Sequence, residues 1–321
     1  MIRPPPGPGA ARWRTVFMGT PGFAVPSLAA LAEVADVTLV LCNPDRPAGR
    51  GRSMGSPAVK EEAARRGIPV FQPEKARHPE AVARIAAEAP DLIVVVAYGH
   101  ILPKSILDIP RFGCTNVHAS LLPKYRGAAP INWAVARGET VTGITIMRMD
   151  EGMDTGPMLH VREMPIGVED TAETMFSKLS ILGAEALREA LRKMREGTLH
   201  ETPQDAALAT YAPMLKKEHG RIDWSRPSME VRNLVRGMTP WPSAFALHAG
   251  KKLKVLSPVV SAETGPPGEP GEVVALGRDG ISVTCGEGVL RLLVVQPEGG
   301  KAMNAWAYAQ GRRVAVGGRL S

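Results

Sequence analysis

The stretch Asp91-Leu92-Ile93-Val94-Val95-Val96-Ala97 decides the fold. Its apolar residues follow one another without alternation, so both faces of the strand are buried, as in an inner strand of a parallel sheet covered by helices. The run is far shorter than the ~18 residues that a membrane helix requires. Working outward, Thr15 to Gly19 (TVFMG) is a second buried strand, leading through Thr20-Pro21-Gly22 into a helix near Val25 to Glu33. Val37 to Cys42 is the next strand, and a long polar loop from Asn43 to Ser56 follows it. Pro57 then sits where the first turn of a helix tolerates it, and that helix runs to about Arg66. Gly113 to His118 and Thr142 to Met149 read as two further strands. Thr171 to Glu196 is a long helix, with Leu179, Leu182, Ala186, Ala190 and Met194 at helical spacing and Gly197 closing it. Strands alternating with helices predict a Rossmann-like parallel α/β domain. The turn Gly19-Thr20-Pro21-Gly22 lacks the GxGxxG spacing and has no suitable acidic residue beyond it to clamp a ribose. It reads as a tight strand-to-helix turn near the active site, which argues against a nicotinamide-dependent dehydrogenase.

The pattern changes around residues 200–210. Lys252 to Leu256, Glu272 to Ala275, Ile281 to Thr284 and Val289 to Val295 are strand-like runs separated by Gly and Pro turns, with Ala262 to Gly271 as a surface loop. Strands this close, mostly without helices between them, predict a small barrel or sandwich. The expected organisation is a flexible N-terminal extension over 1–14, an α/β domain with its linker over 15–206, and a β domain over 207–321. The charge follows the same division. Of the net +7, residues 1–206 hold 24 Lys and Arg against 23 Asp and Glu, whereas 207–321 hold 15 against 9. A basic second half is the electrostatic footprint of a polyanion such as RNA, or simply a basic surface. Lys216, Lys217, Arg221, Arg232, Arg236, Lys251, Lys252 and Lys254 are its candidates for phosphate contacts.

Hydrophobic residues make up 44% of the 321, enough for sizeable cores. The opening MIRPPPGPGAARWR has no apolar stretch of the secretory kind and no convincing amphipathic pattern. Cys42, Cys114 and Cys285 are far apart and odd in number, which suits a reducing cytoplasm. The seven histidines form no HExxH or paired zinc pattern, so no metal is expected.

Chemistry concentrates in two segments. In Asn116-Val117-His118-Ala119-Ser120-Leu121-Leu122-Pro123, Asn116 and His118 are two apart and share a strand face. Ligands of open parallel sheets bind at the carboxyl ends of strands, where this pair falls. Histidine titrates near neutral pH and suits acid/base work, and an asparagine amide donates to an oxyanion without carrying charge. An isolated N-x-H pair is more readily a polar cap of the strand end. The second segment is Asp150-Glu151-Gly152-Met153-Asp154-Thr155-Gly156, directly after the strand Thr142 to Met149 and so also expected at a strand end. Asp154 is placed to orient His118 and stabilise its charged form. Alone, the segment also reads as a turn or a weak metal loop, though the further ligands of a calcium loop are missing.

Together these motifs carry a resemblance. FMGTPGFAVPSL (17–28), NPDRPAGRGR (43–52), GIPVFQPEK (67–75), VVVAYGHILP (94–103), NVHASLLPKYRGAAPI (116–131) and TGITIMRMDEGMDTGPML (142–159) resemble the methionyl-tRNA formyltransferase family. The likeness continues through RIDWS (221–225), NLVRGMTPWPSAF (233–245) and KAMNAW (301–306), so it covers residues 15–321. The N-x-H with SLLP and the later Asp are common to folate-dependent formyltransferases. The basic loop and the IDWS and WP segments narrow the likeness to the tRNA enzymes. The resemblance implies a Rossmann-like formyltransferase domain followed by an OB-like β-barrel. It implies Asn116, His118 and Asp154 as the catalytic trio, and contact of the 10-formyltetrahydrofolate donor with Ser120, Leu121, Leu122 and Pro123. It implies a grip on initiator Met-tRNA by Arg46, Arg50 and Arg52, and it suits a cytoplasmic monomer with no metal and no membrane association. The alternative is a folate-dependent formyltransferase acting on a nucleotide-sugar or purine-precursor amine, which needs neither the basic barrel nor the arginine loop. A non-catalytic RNA-binding module leaves the clustered Asn, His and Asp unexplained.

Overall fold

The computed structural model of the protein describes residues 12–48, 53–260 and 268–321. It divides into two compact units. The first comprises the chain up to Pro130, Val141–Pro165 and Phe176–Ala212; the second comprises Ile131–Thr140, Ile166–Met175 and Pro213–Ser321.

The elements of the first half, in chain order, are β1 (Arg14–Gly19), α1 (Val25–Val34), β2 (Asp36–Leu41), β3 (Arg46–Ala48), β4 (Ser53–Gly55), α2 (Ala58–Arg65), β5 (Val70–Phe71), α3 (Pro79–Ala87), β6 (Leu92–Val96), α4 (Lys104–Leu107), β7 (Cys114–His118), α5 (Pro130–Ala136), β8 (Val141–Arg148), β9 (Met158–Pro165) and α6 (Ala172–Glu196). Seven strands make one sheet in the order β5-β2-β1-β6-β7-β8-β9. Every residue of β6 is buried, as its uninterrupted apolar run requires, and it lies in register between β1 and β7. The β5-β2-β1-β6-β7 ladder is parallel, and the order reverses beside β1, where a doubly wound sheet opens for ligands.

Two expectations are corrected here. The sheet is mixed, because β8 runs antiparallel to β7 and β9 antiparallel to β8. An apolar run looks the same whichever way its strand points, so hydrophobicity carries no signal for direction. The loop after β8 therefore leaves beside Cys114, at the start of β7, and not beyond the end of β7 that carries His118. The second correction concerns Asn43 to Ser56, which is no plain loop, since β3 and β4 form a short antiparallel hairpin within it. Three-residue strands are too short for alternation to reveal.

The second unit contains α7 (Ser228–Gly237), β10 (Phe245–His248), β11 (Lys251–Val260), β12 (Val273–Gly277), β13 (Gly280–Thr284), β14 (Val289–Pro297), β15 (Met303–Asn304) and α8 (Ala305–Arg312). Its antiparallel strands follow the order β10-β11-β14-β13-β12, with β15 on β14. The last residues join the two outer strands. Leu247 and Ser321 exchange backbone hydrogen bonds, while Leu320 N–H donates to Gly271 and Val273 N–H to Gly318. The tail thus bridges the two outer strands, an arrangement consistent with a barrel. Ile222, Trp224, Leu253, Val283, Leu290, Leu292 and Tyr308 fill the core within. Helix α7 is not among the expected elements, because its buried Val231 and Val235 give one helical spacing only.

Candidate active site

β7 carries Asn116 and His118 on one face, as alternation dictates. Asp154 comes to that face from the loop between β8 and β9. Its Oδ1 lies 3.4 Å from Asn116 Nδ2 and its Oδ2 lies 3.6 Å from His118 Nδ1. Gly127 N–H donates to the same Oδ2 at 2.8 Å. The three residues named from the sequence are therefore brought together, by a loop that folds back over the strand.

His118 is 5% exposed, with Nε2 3.0 Å from the carbonyl oxygen of Tyr125. A carbonyl only accepts, so Nε2 carries the hydrogen and Nδ1 faces Asp154. A second proton, arriving on Nδ1, places an imidazolium between a carbonyl and a carboxylate. Asn116 has one amide N–H directed at Asp154, and its other N–H has no partner among the described residues.

The Asp154 loop is braced internally. Asp150 Oδ1 accepts from Gly152 N–H at 3.0 Å and from Thr155 Oγ1 at 2.7 Å, the Asx-turn use of an aspartate. Asp150 thus serves its own turn. Among the described residues no group of three or more His, Cys, Asp or Glu is arranged to hold a metal ion.

Ser120 to Pro123 is pinned from β8. Thr145 Oγ1 donates to Ser120 O at 2.7 Å and accepts from Leu122 N–H at 3.1 Å. Ser120 is fully buried and its hydroxyl donates to Lys124 O at 2.6 Å, so Leu121 and Pro123 are the partly exposed members of the four. Tyr125 N–H donates to Thr210 Oγ1 at 2.9 Å, which steadies the carbonyl that holds His118.

Arg46 opens β3 and is exposed; Arg50 and Arg52 lie outside the described residues. The root of this hairpin is a polar cluster. Asp45 accepts from Lys60 Nζ at 2.6 Å and from Gln72 Nε2 at 2.8 Å, and these bonds hold its carboxyl below its ordinary range. His100 Nε2 meets Asn43 Oδ1 at 2.8 Å, and burial, aided by Arg46, lowers the pKa of that imidazole. Neighbouring Cys42 and Tyr98 are pushed up by burial to about 11 and about 12.

Sequence reasoning misses several residues that shape the site. Gly127 carried one signal, a glycine in KYRG just past the SLLP segment. Tyr125 and Arg126 stand in the same KYRG stretch without a role that the stretch itself reveals, and Thr145, Thr210 and Gln204 carried no signal, because each acts through a partner distant in sequence.

Residues 15–191 match the formyl transferase family and residues 214–313 match the formyl transferase C-terminal domain. The chain is 52% identical over 306 residues to the methionyl-tRNA formyltransferase of Geobacter metallireducens, covering 95% of this chain and 97% of that one. It is 48% identical over 307 residues to the enzyme of that name from Myxococcus xanthus, covering 96% and 97%. Among solved structures it is similar to WlaRD, a sugar 3N-formyl transferase, with a TM-score of 0.65 at 16% identity over 90% of this chain and 98% of that one. It is also similar to HypX from Aquifex aeolicus in complex with tetrahydrofolic acid, with a TM-score of 0.62 at 19% identity over 95% of this chain. The chain spans only 48% of the length of HypX, and at these identities the likeness to both structures is one of fold. With about half of its residues shared with such relatives over nearly its whole length, the chain belongs to the methionyl-tRNA formyltransferase family.

Proposed function

We propose that the protein transfers the formyl group of 10-formyltetrahydrofolate to the free amino group of initiator methionyl-tRNA, using Asn116, His118 and Asp154. One observation carries this reading: a single carboxylate lies over one strand face, close to both an imidazole and an amide. Transfer between two nitrogens passes through a tetrahedral oxyanion and needs donors for it. The uncommitted Asn116 N–H is the direct donor, and the positive charge of a protonated His118, held between Tyr125 O and Asp154, stabilises the oxyanion from beside it. Asp154 holds the imidazolium and helps manage the proton lost by the attacking amine. The new C–N bond forms first and gives the tetrahedral oxyanion; the C–N bond to the folate breaks as that oxyanion collapses, and the folate nitrogen gains the proton that the amine loses. No covalent bond to the enzyme is required.

Ser120, Leu121, Leu122 and Pro123 flank the donor, Leu121 and Pro123 with apolar surface and the buried Ser120 and Leu122 by fixing the segment's backbone. Arg46, Arg50 and Arg52 hold the acceptor arm of the tRNA, and the basic OB-like domain over 207–321 supplies phosphate contacts of its own. The protein works as a monomer in the cytoplasm, a placement supported by its three free cysteines. No helix among the described residues is long and apolar enough to cross a membrane.

The test is an incubation with 10-formyltetrahydrofolate and Met-tRNA, following formyl-Met-tRNA and tetrahydrofolate together. Equal yields of the two are expected. Asn116→Ala lowers turnover on the order of 10²–10³, and His118→Ala on the order of 10²–10⁴. Formylation of an amino-sugar nucleotide but not of Met-tRNA overturns the acceptor, and normal turnover in both variants overturns the site.

A further inference from the structure

We infer that Gln204 and Arg126 are positioning residues, which aim Asp154 by holding the backbone of its loop; this rests on the reading of Asp154 given above. Asp154 adopts φ +54, a left-handed backbone that non-glycine residues take up rarely and keep only where their surroundings impose it. The imposing group is identifiable. Gln204 Nε2 donates to the carbonyl oxygens of Asp154 and Gly156, at 2.8 and 2.7 Å. One side-chain amide thus ties the loop on both sides of Thr155.

The amide is itself held in the orientation this requires. An amide has an acceptor end and a donor end, and Arg has donors only. Arg126 Nε and Nη2 both donate to Gln204 Oε1, at 3.0 and 2.8 Å, so the NH₂ end must face the loop. Arg126 is only 5% exposed, and among the described residues its guanidinium meets no carboxylate within ion-pair distance. A charge removed from water and joined only to a neutral amide is a costly arrangement if folding is its sole purpose. Its backbone is fixed as well, since Arg126 N–H donates to Thr210 O and Ala212 N–H donates to Arg126 O. The next residue, Gly127, supplies the N–H that receives the Asp154 carboxylate. Arg126 and Gly127 therefore grip Asp154 twice, at its backbone through Gln204 and at its carboxylate directly.

The experiment is steady-state kinetics of the full chain with Met-tRNA and 10-formyltetrahydrofolate, for Gln204→Leu, Gln204→Glu, Asp154→Asn and the pairs with Asp154→Asn. Gln204→Leu should lower kcat by about 10- to 100-fold, the scale of a misplacement near 1 Å, with both KM values held within about twofold. Gln204→Glu keeps an acceptor for Arg126, indeed a charged one, which offsets the repulsion between its other oxygen and the two loop carbonyls, so the variant should still unfold in one cooperative transition. It loses both N–H donors and should show the same loss of kcat. In the Asp154→Asn background the Gln204→Leu change should cost less than about threefold, because nothing remains for it to aim. Wild-type kcat in Gln204→Glu, an equal loss in both backgrounds, or a loss confined to KM overturns the inference. If Asp154→Asn alone turns over normally, the site reading itself fails, in a comparison that involves no change at Gln204, and the inference falls with it.

Discussion

At the scale of single residues, Gly127 shows how little of this site tolerates change. It sits at φ +118, where a side chain is strained, and a Cβ there would lie 2.8 Å from the carbonyl oxygen of Ala212. That carbonyl also accepts from Ala129 N–H, so it is not free to move. Gly127→Ala must shift the backbone, and the N–H that binds Asp154 shifts with it. The destabilisation expected is about 1–3 kcal/mol, with turnover lower by about 10²-fold and tetrahydrofolate affinity retained. Calorimetry and kinetics on one preparation check both halves. Full turnover with lowered stability would show that the Gly127 N–H has no part in placing Asp154. Thr145, directly across the sheet from His118, works differently, with a hydroxyl that satisfies a buried N–H and a buried C=O at once.

Elements differ in how openly the sequence announces them. β1 and β6 are legible because burial on both faces demands unbroken apolar runs, and the sharing of a face by Asn116 and His118 follows from strand alternation alone. Strand direction, the β3–β4 hairpin and α7 are not legible, since each depends on contacts that local periodicity does not encode. The same divide runs through the site. Gln204 meets the Asp154 loop across 48 and 50 residues, and Gly127 meets Asp154 across 27. No local pattern links such pairs. The hairpin carries a prediction of its own, because its root is built from Asp45, Lys60 and Gln72. Asp45 is ionised throughout the neutral range. Its lowered pKa gives a contribution present above the ordinary carboxylate value near 4 and lost only as pH falls below it. Asp45→Ala frees both partners and loosens the base from which Arg46 projects. The KM for Met-tRNA should rise by at most about fivefold, the worth of a partly exposed ion pair, and the KM for the folate donor should not move. Equal KM values for Met-tRNA in variant and wild type would detach the hairpin root from acceptor binding.

Across the whole molecule, charge asymmetry makes a quantitative statement. Residues 207–321 carry 15 Lys and Arg against 9 Asp and Glu, but the structure removes some of those cations from consideration. Arg232 is bound to Glu169 and to Val168 O, and Arg236 to the carbonyls of Gly167 and Asp170. Lys254 is half-buried, with Nζ 3.5 Å from Ser243 Oγ. Of the eight cations singled out from sequence, Lys216, Lys217, Arg221, Lys251 and Lys252 remain exposed. Cutting the chain at 207 is a poor way to test them. The second unit includes residues 131–140 and 166–175, and its core packs against Trp133 and Ala136, so the cut exposes apolar surface. Salt titration of the intact chain avoids that. If all five neutralise phosphates, they contribute up to about −4.5 to the slope of log affinity for Met-tRNA against log salt, at −0.9 per contact. Each Lys→Gln or Arg→Gln substitution at a true contact should shallow the slope by about one. Tetrahydrofolate affinity should vary little over the same range, since these residues have no part in donor binding. A Met-tRNA slope unchanged when all five are neutralised would assign the basic second half to solubility and leave the tRNA to the arginine hairpin alone.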